Sequence, residues 1–291
     1  MCIRDRAGNT ASDTHGGINI DKTAPGIAFA GATPAANGAG WNNTNVILTW
    51  NCTDPGGSGP VAPTVSQTLN TEGAGLSASG TCADLAGNTS AINTHGGIKI
   101  DLTNPVASFD GSIGSVYFGS VPAPPTCTST DGGSGPDGCT VTGYSTAVGA
   151  HTLTATALDL AGRTGTATQT YNVLAWTLKG FYQPVDMGGV WNTVKGDSTV
   201  PLKFEVFAGS TELTSTSDVQ SFTSRRVDCA SGSGLQDAVE ILSTDGTSLQ
   251  YDTTGGQFIQ NWKTPTGAGT CYSATMTAQD GSTISANFML K

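Results

Sequence analysis

The side chains with the clearest capacity for chemistry in this sequence are its aspartates. Of 22 acidic residues, 18 are Asp, and six of these form two sets at matching places in a repeat: Asp21, Asp54 and Asp84, then Asp101, Asp131 and Asp159. Three carboxylates together with carbonyl oxygens can supply the roughly six to eight oxygens that a calcium ion takes. Neither set has the Asp-x-Asp-x-Asp core of a single calcium loop, so a site would have to be gathered from separate segments. The other reading is that each Asp caps its own turn by accepting backbone N–H groups. Both readings stand on the sequence alone.

Acid–base and nucleophilic chemistry have much less to work with. Only three His are present, and His15 and His95 share one repeat position, Thr-His-Gly-Gly-Ile, which makes them part of the scaffold. His151 sits in a strand pattern and reads as a half-buried packing residue. Gly-x-Ser-x-Gly, Ser-x-x-Lys, His-Glu-x-x-His and the Walker and Rossmann glycine patterns are all missing from the sequence. The Gly-Gly-Ser-Gly-Pro segments have no following Lys to hold a phosphate and read as turns. No nucleophile, base and orienting group can be assembled, and the expectation is a protein that is not an enzyme.

The elements that must position the Asp residues come from an internal repeat. Residues 7–25 and 86–105 share Ala-Gly-Asn-Thr, Thr-His-Gly-Gly-Ile, Ile-Asp and a closing Pro, and Asp159-Leu160-Ala161-Gly162 repeats Asp84-Leu85-Ala86-Gly87. Cys52-Thr53 followed by Gly56-Gly57-Ser58-Gly59-Pro60 returns as Cys127-Thr128 followed by Gly132-Gly133-Ser134-Gly135-Pro136. Inside each copy the apolar period is two, as in Val46, Leu48, Trp50 and Cys52, which is the strand signature. Asp in place of Glu, 40 Gly and 13 Pro fit short strands joined by turns. The expected fold is all-β, a series of tandem immunoglobulin-like antiparallel β-sandwiches. The expected divisions are 1–24 as the tail of a truncated repeat, 25–104 and 105–175 as two repeats, and 176–291 as a different β-sandwich module. In that last module strands are expected at Val200–Phe207, Asp237–Leu242, Gln257–Trp262, Tyr272–Ala278 and Ile284–Leu290.

The same alignment bears on the seven cysteines. Cys127 matches Cys52, but the counterpart of Cys82 is Ala157, and the second copy has Cys139 instead. One partner vanishes and another appears within the same copy, as bridges Cys52–Cys82 and Cys127–Cys139 require; Cys229–Cys271 then closes the last module. A metal site would want close Cys pairs such as Cys-x-x-Cys, and the sequence has none. Disulfides persist in oxidising compartments, so the protein is expected to be exported. Cys2 is left over. Asp5 aligns with Asp84, and the opening residues lack the apolar core of a signal peptide. The chain therefore reads as a fragment that begins inside a strand.

In a sandwich of this type the linker entering a module passes the loops at one end. That would bring Asp21 to Asp54 and Asp84, and Asp101 to Asp131 and Asp159. Three like charges gathered without a cation are unfavourable, which gives calcium a physical reason to bind. A glycan platform built on aromatics is a further possibility. Trp50 and Trp262, however, fall in core register, and Trp41, Trp176 and Trp191 lie at strand starts or linkers. Twelve basic residues against a net charge of −10 exclude a nucleic-acid binder. No apolar run approaches the ~20 residues of a membrane span, so no membrane insertion is expected of this segment.

The series Cys-Thr-Asp, Ser-Gly, Asp-x-Ala-Gly-Asn and Ile-Asp-x-Thr-x-Pro resembles the immunoglobulin-like repeats of large bacterial extracellular proteins, close to the hyalin-repeat type, over residues 1 to about 175. The remainder resembles the PxKF-type module. It has Pro201-Leu202-Lys203-Phe204, preceded by Asn192-Thr193-Val194-Lys195 and followed by Asp252-Thr253-Thr254-Gly255-Gly256-Gln257-Phe258 and Asn261-Trp262-Lys263. The resemblance implies a non-catalytic stalk or adhesion segment, extracellular or on the bacterial cell surface, whose partner is an unknown extracellular protein or a glycan. The alternative it leaves is an accessory, glycan-binding region of a secreted hydrolase whose catalytic domain lies outside this sequence.

Overall fold

A computed structural model describes the chain from Cys2 to Lys291, apart from Asp5, Asn9, Asp13, Thr14 and residues 242–247. Asp5 and the end of the strand expected at Asp237–Leu242 therefore lie outside the described residues. The protein is all-β. It divides into two compact units, one comprising Met1–Phe109, Cys127–Thr140 and Ala155–Ala167, the other Asp110–Thr126, Val141–Thr154 and Thr168–Lys291.

The first unit starts with a small antiparallel pair, β1 (Cys2–Arg4) and β2 (Thr10–Ser12). Strands β3 (Gly26–Thr33), β4 (Val46–Thr53) and β5 (Thr64–Leu69) then form one sheet, and β6 (Gly73–Gly80) with β7 (Asn93–Ile100) a second. The period-two pattern of β4 sends Val46, Leu48 and Trp50 inward, where they meet Ile100 of β7 in a fully buried core. Burying such side chains stabilises the fold by roughly 1.5–3 kcal/mol each. The indole N–H of Trp50 donates to Asn93 Oδ1 at 2.9 Å, so its polar atom is satisfied. Its ring lies against the backbone of Gly80, where a Cβ would come within 2.8 Å of Cδ2.

The chain continues through β8 (Val106–Phe109), β9 (Ser115–Tyr117), β10 (Cys127–Thr130), β11 (Pro136–Thr142), β12 (Gly149–Asp159) and β13 (Thr164–Leu174). Strand β8 pairs antiparallel with β10, and the larger sheet runs β11-β12-β13-β9, with β9 parallel to β13. The bridges are Cys52–Cys82, Cys127–Cys139 and Cys229–Cys271, closing separations of 30, 12 and 42 residues. Cys82 itself lies two residues beyond β6. There its N–H donates to the hydroxyl of the buried Ser90 at 2.9 Å.

The C-terminal part holds β14 (Thr177–Tyr182), β15 (Trp191–Val194), β16 (Thr199–Ala208), β17 (Thr211–Leu213), β18 (Val219–Val227), β19 (Val239–Glu240), β20 (Gln250–Asp252), β21 (Gln257–Lys263), β22 (Cys271–Ala278) and β23 (Thr283–Leu290). One sheet is β14-β16-β21-β20, with β17 on β16; the other is β15-β23-β22-β18-β19. Alternate residues of both face inward. Leu202, Phe204, Phe258 and Trp262 from the first sheet meet Phe222, Met276 and Phe288 from the second. Phe204 stacks on Phe258 with centroids 5.1 Å apart, and Trp262 meets Phe288 edge-on at 4.8 Å.

One strand arrangement occurs three times. An early strand pairs antiparallel with a later one (β3 with β4, β8 with β10, β14 with β16), and the segment between the two runs parallel with a late strand. That parallel contact is the Asn42–Ile100 bridge in the first case, β9 on β13 in the second and β15 on β23 in the third. This is immunoglobulin-like topology. Among the described residues, no helix is long and apolar enough to cross a membrane.

A duplicated carboxylate site

The structure gathers both Asp sets. Asp21, Asp54 and Asp84 each bring one carboxylate oxygen within 4.8 Å of the others, and so do Asp101, Asp131 and Asp159. Asp84, Asp101 and Asp159 are buried, at 2%, 0% and 1% exposure; Asp21, Asp54 and Asp131 are half-buried. At this separation each charge pair repels by roughly 3 kcal/mol at an effective dielectric constant near 20.

Three local devices hold the carboxylates, and each occurs in both copies. The linker Asp accepts two backbone N–H groups. Asp21 takes those of Thr23 at 2.9 Å and Ser58 at 2.7 Å, and Asp101 those of Thr103 at 3.0 Å and Ser134 at 2.7 Å. The loop Asp accepts from the second glycine of Gly-Ser-Gly, Asp54 from Gly59 at 2.7 Å and Asp131 from Gly135 at 2.8 Å. The third Asp closes the Asp-x-Ala-Gly turn, where Gly87 and Gly162 supply φ of +92° and +84°. Asp84 and Asp159 there accept the N–H four residues on, both at 2.8 Å. Each Asp thus caps a turn and also belongs to a cluster, so the two sequence-level readings are not exclusive.

These donors govern protonation. In Asp21, N–H groups of Thr23 and Ser58 hold the carboxyl below its ordinary range. Burial pushes Asp101 the other way, but the hydroxyl and N–H of Ser134, the N–H of Thr103 and the charge of Arg163 outweigh it and hold that carboxyl low as well. Both linker carboxylates are therefore ionised at neutral pH.

Several residues that the sequence reading did not single out shape the site. Ser58 and Ser134 fix the loop to the turn as well, their hydroxyls accepting from Ala86 and Ala161 at 3.0 and 3.1 Å. Gly57 and Gly133 leave room for the carboxylates. A Cβ on Gly133 would lie 2.5 Å from Asp101 Cγ, and one on Gly57 would lie 2.7 Å from Asp21 Oδ2. Their signal is present in both Gly-Gly-Ser-Gly-Pro segments, which on the sequence alone read only as turns. Asn88 and Arg163 share a repeat position but not a side-chain role.

The remaining candidates fall into the scaffold. His95 stacks on Phe29 with centroids 3.6 Å apart, and His151 bonds through Nε2 to the carbonyl of Ala147 at 2.6 Å. Trp41, Trp50, Trp176 and Trp262 are buried, so none of these four presents an open ring face of the kind a sugar stacks on, and Trp191 is half-buried.

No family model and no curated protein matches this chain. Among solved structures it is similar to a Ca2+-stabilized, ice-binding adhesin of an Antarctic bacterium, at 14% identity and a TM-score of 0.30, over 100% of this chain and 79% of that one. It is also similar to a tetra-tandem repeat from the extending region of a large adhesion protein, at 15% identity and a TM-score of 0.33, over 100% and 80% of the two chains. A 1.5-MDa bacterial ice-binding adhesin aligns at 14% identity and a TM-score of 0.27, over 93% and 100%. Likeness at this level leaves the ligand of this chain to be argued from its own residues.

Proposed function

We propose that this chain is a non-catalytic structural segment of an extracellular or cell-surface protein, a stalk or adhesion module braced by disulfides and stiffened by calcium. The observation that carries the reading is the duplicated cluster, in which a linker Asp meets two loop Asp residues of the β-structure that follows it. A cation at such a place ties the linker to those loops and removes freedom where a string of sandwiches would otherwise bend. The donor set fits the ion. It offers hard carboxylate oxygens on a linker and two loops rather than in a rigid octahedral cage, which suits calcium better than magnesium. The proposed modules are residues 25–104, 105–175 and 176–291, with 1–24 belonging to an incomplete repeat. The three disulfides support an oxidising, extracellular location. The proposed partner is an extracellular protein or a glycan.

Thermal melts of the oxidised protein in excess calcium and in chelator test this. Calcium at 100 times its dissociation constant should add roughly 2.7 kcal/mol to the unit that binds it and raise its Tm by several degrees. The rise should shrink in Asp84→Asn and Asp159→Asn. An identical melt in calcium and chelator would overturn the reading.

A further inference from the structure

We infer that the two carboxylate clusters are unequal calcium sites, with the Asp101–Asp131–Asp159 cluster binding first and the Asp21–Asp54–Asp84 cluster binding more weakly. This rests on the calcium reading above and adds an order to it.

The distinction comes from one repeat position. Asn88 and Arg163 each stand four residues after the third Asp, and each gives that Asp the same backbone N–H bond. Their side chains part company. The amide Nδ2 of Asn88 donates to Asp84 Oδ2 at 2.7 Å and to the carbonyl of Asp21 at 3.2 Å. It therefore bridges loop and linker, the place that a cation joining the two would take. Arg163 turns outward instead. Its Nε donates to Asn104 Oδ1 at 2.9 Å and its Nη1 to the carbonyl of Asn43 at 3.0 Å.

The consequence is two carboxylate oxygens with no donor. Asp159 Oδ2 and Asp131 Oδ1 are both shut off from solvent and accept no hydrogen bond from the protein, and Asp159 is only 1% exposed. A buried anionic oxygen without a donor is strongly unfavourable, and a cation relieves it directly. Among the described residues of the first cluster no carboxylate oxygen is left in that state. There calcium must displace the Asn88 amide, and Asp21 is half-buried where its counterpart Asp101 is fully buried. The guanidinium of Arg163 opposes a nearby cation. It is only half-buried and is tied down by neutral oxygens, so its opposition is screened more than the attraction of the buried carboxylates.

Calorimetric titration of the intact oxidised chain with calcium chloride decides the matter. Two phases should appear with dissociation constants at least tenfold apart. Asp159→Asn should remove the tight phase and Asp84→Asn the weak one. Should Asp159→Asn fail to fold by circular dichroism, Asp131→Asn removes the other orphaned oxygen and should also abolish the tight phase. Asn88→Ala keeps the backbone N–H, frees Asp84 Oδ2 and should tighten the weak phase several-fold. Two sites of equal affinity, a tight phase lost in Asp84→Asn, or weaker binding in Asn88→Ala would each overturn the ordering while leaving the calcium reading standing. No binding up to millimolar calcium would overturn both.

Discussion

Gly133 keeps the second cluster open by having no side chain. Adding one methyl group there would drive Asp101 off the Ser134 N–H. Gly133→Ala should therefore destabilise the first unit by about 1–3 kcal/mol even in chelator, read as a lower urea midpoint. An unchanged midpoint would mean that the carboxylate moves freely. Ile20 and Ile100 offer a second comparison, because they fill one repeat position with opposite surroundings. Ile20 is 74% exposed and Ile100 only 1%. Ile100→Ala should cost about 2–5 kcal/mol, while Ile20→Ala should stay within about 0.5 kcal/mol of the parent. Two tyrosines make a third case. Burial, with a hydrogen bond to Glu205, raises Tyr182 to about 12, and a hydrogen bond to Glu212, with burial, raises Tyr251 to about 12. A raised phenol favours the neutral form in the fold. The stability it contributes is therefore complete below about pH 10 and is lost as pH climbs towards 12. Ultraviolet titration should show Tyr182 and Tyr251 ionising late, and Glu205→Gln should bring the Tyr182 midpoint down.

Among the strands, the clearest divergence between the repeats follows the Gly-Ser-Gly-Pro turn. Both turns start alike, with Leu85 N–H on the Gly59 carbonyl and Leu160 N–H on the Gly135 carbonyl, each at 3.0 Å. After Pro60 the chain leaves and β5 pairs with β4, but from Pro136 β11 pairs with β12. The cysteines follow the same switch, since the strand that joins a new neighbour carries Cys139. Period-two alternation in β4, β16, β21 and β23 made the strands legible, because a half-buried strand must alternate. Which neighbour a strand chooses was not legible, because alternation says which face is buried and not which edge is paired. The same limit hid the parallel pairings of β9 and β15. The Asp sets were legible because the repeat placed them twice. The contrast between Asn88 and Arg163 was not, since it depends on where side chains of equal reach find acceptors. Loop-closure entropy gives Cys52–Cys82 about 3.6 kcal/mol and Cys127–Cys139 about 2.8 kcal/mol, the shorter loop constraining the unfolded chain less. Replacing each pair by Ser should preserve that order in urea midpoints, and the reverse order would show that loop-closure entropy does not set the contributions of these two bridges.

Across the whole molecule, a net charge of −10 sits on a chain with only 12 basic residues, and six of its carboxylates are packed into two clusters. Among the described residues Lys263 pairs with Asp197, both well exposed, and an exposed pair of this kind relieves little of the repulsion. Two bound calcium ions would bring the net charge to about −6 and place that compensation where the carboxylates are closest. Monovalent salt acts differently, screening exposed charge over a Debye length of about 10 Å at 0.1 M and reaching buried groups much less. In chelator, raising sodium chloride from about 0.05 to 0.5 M should lift the melting temperature of the first unit, because screening relieves what remains of the repulsion. With calcium bound, the same salt step should do less, because the repulsion within the clusters is already compensated. Calcium added at high salt should still stabilise, because screening cannot supply a ligand to the orphaned oxygens of Asp131 and Asp159. Equal salt dependence in calcium and in chelator would show that the stability of the molecule depends on its overall charge rather than on these two places.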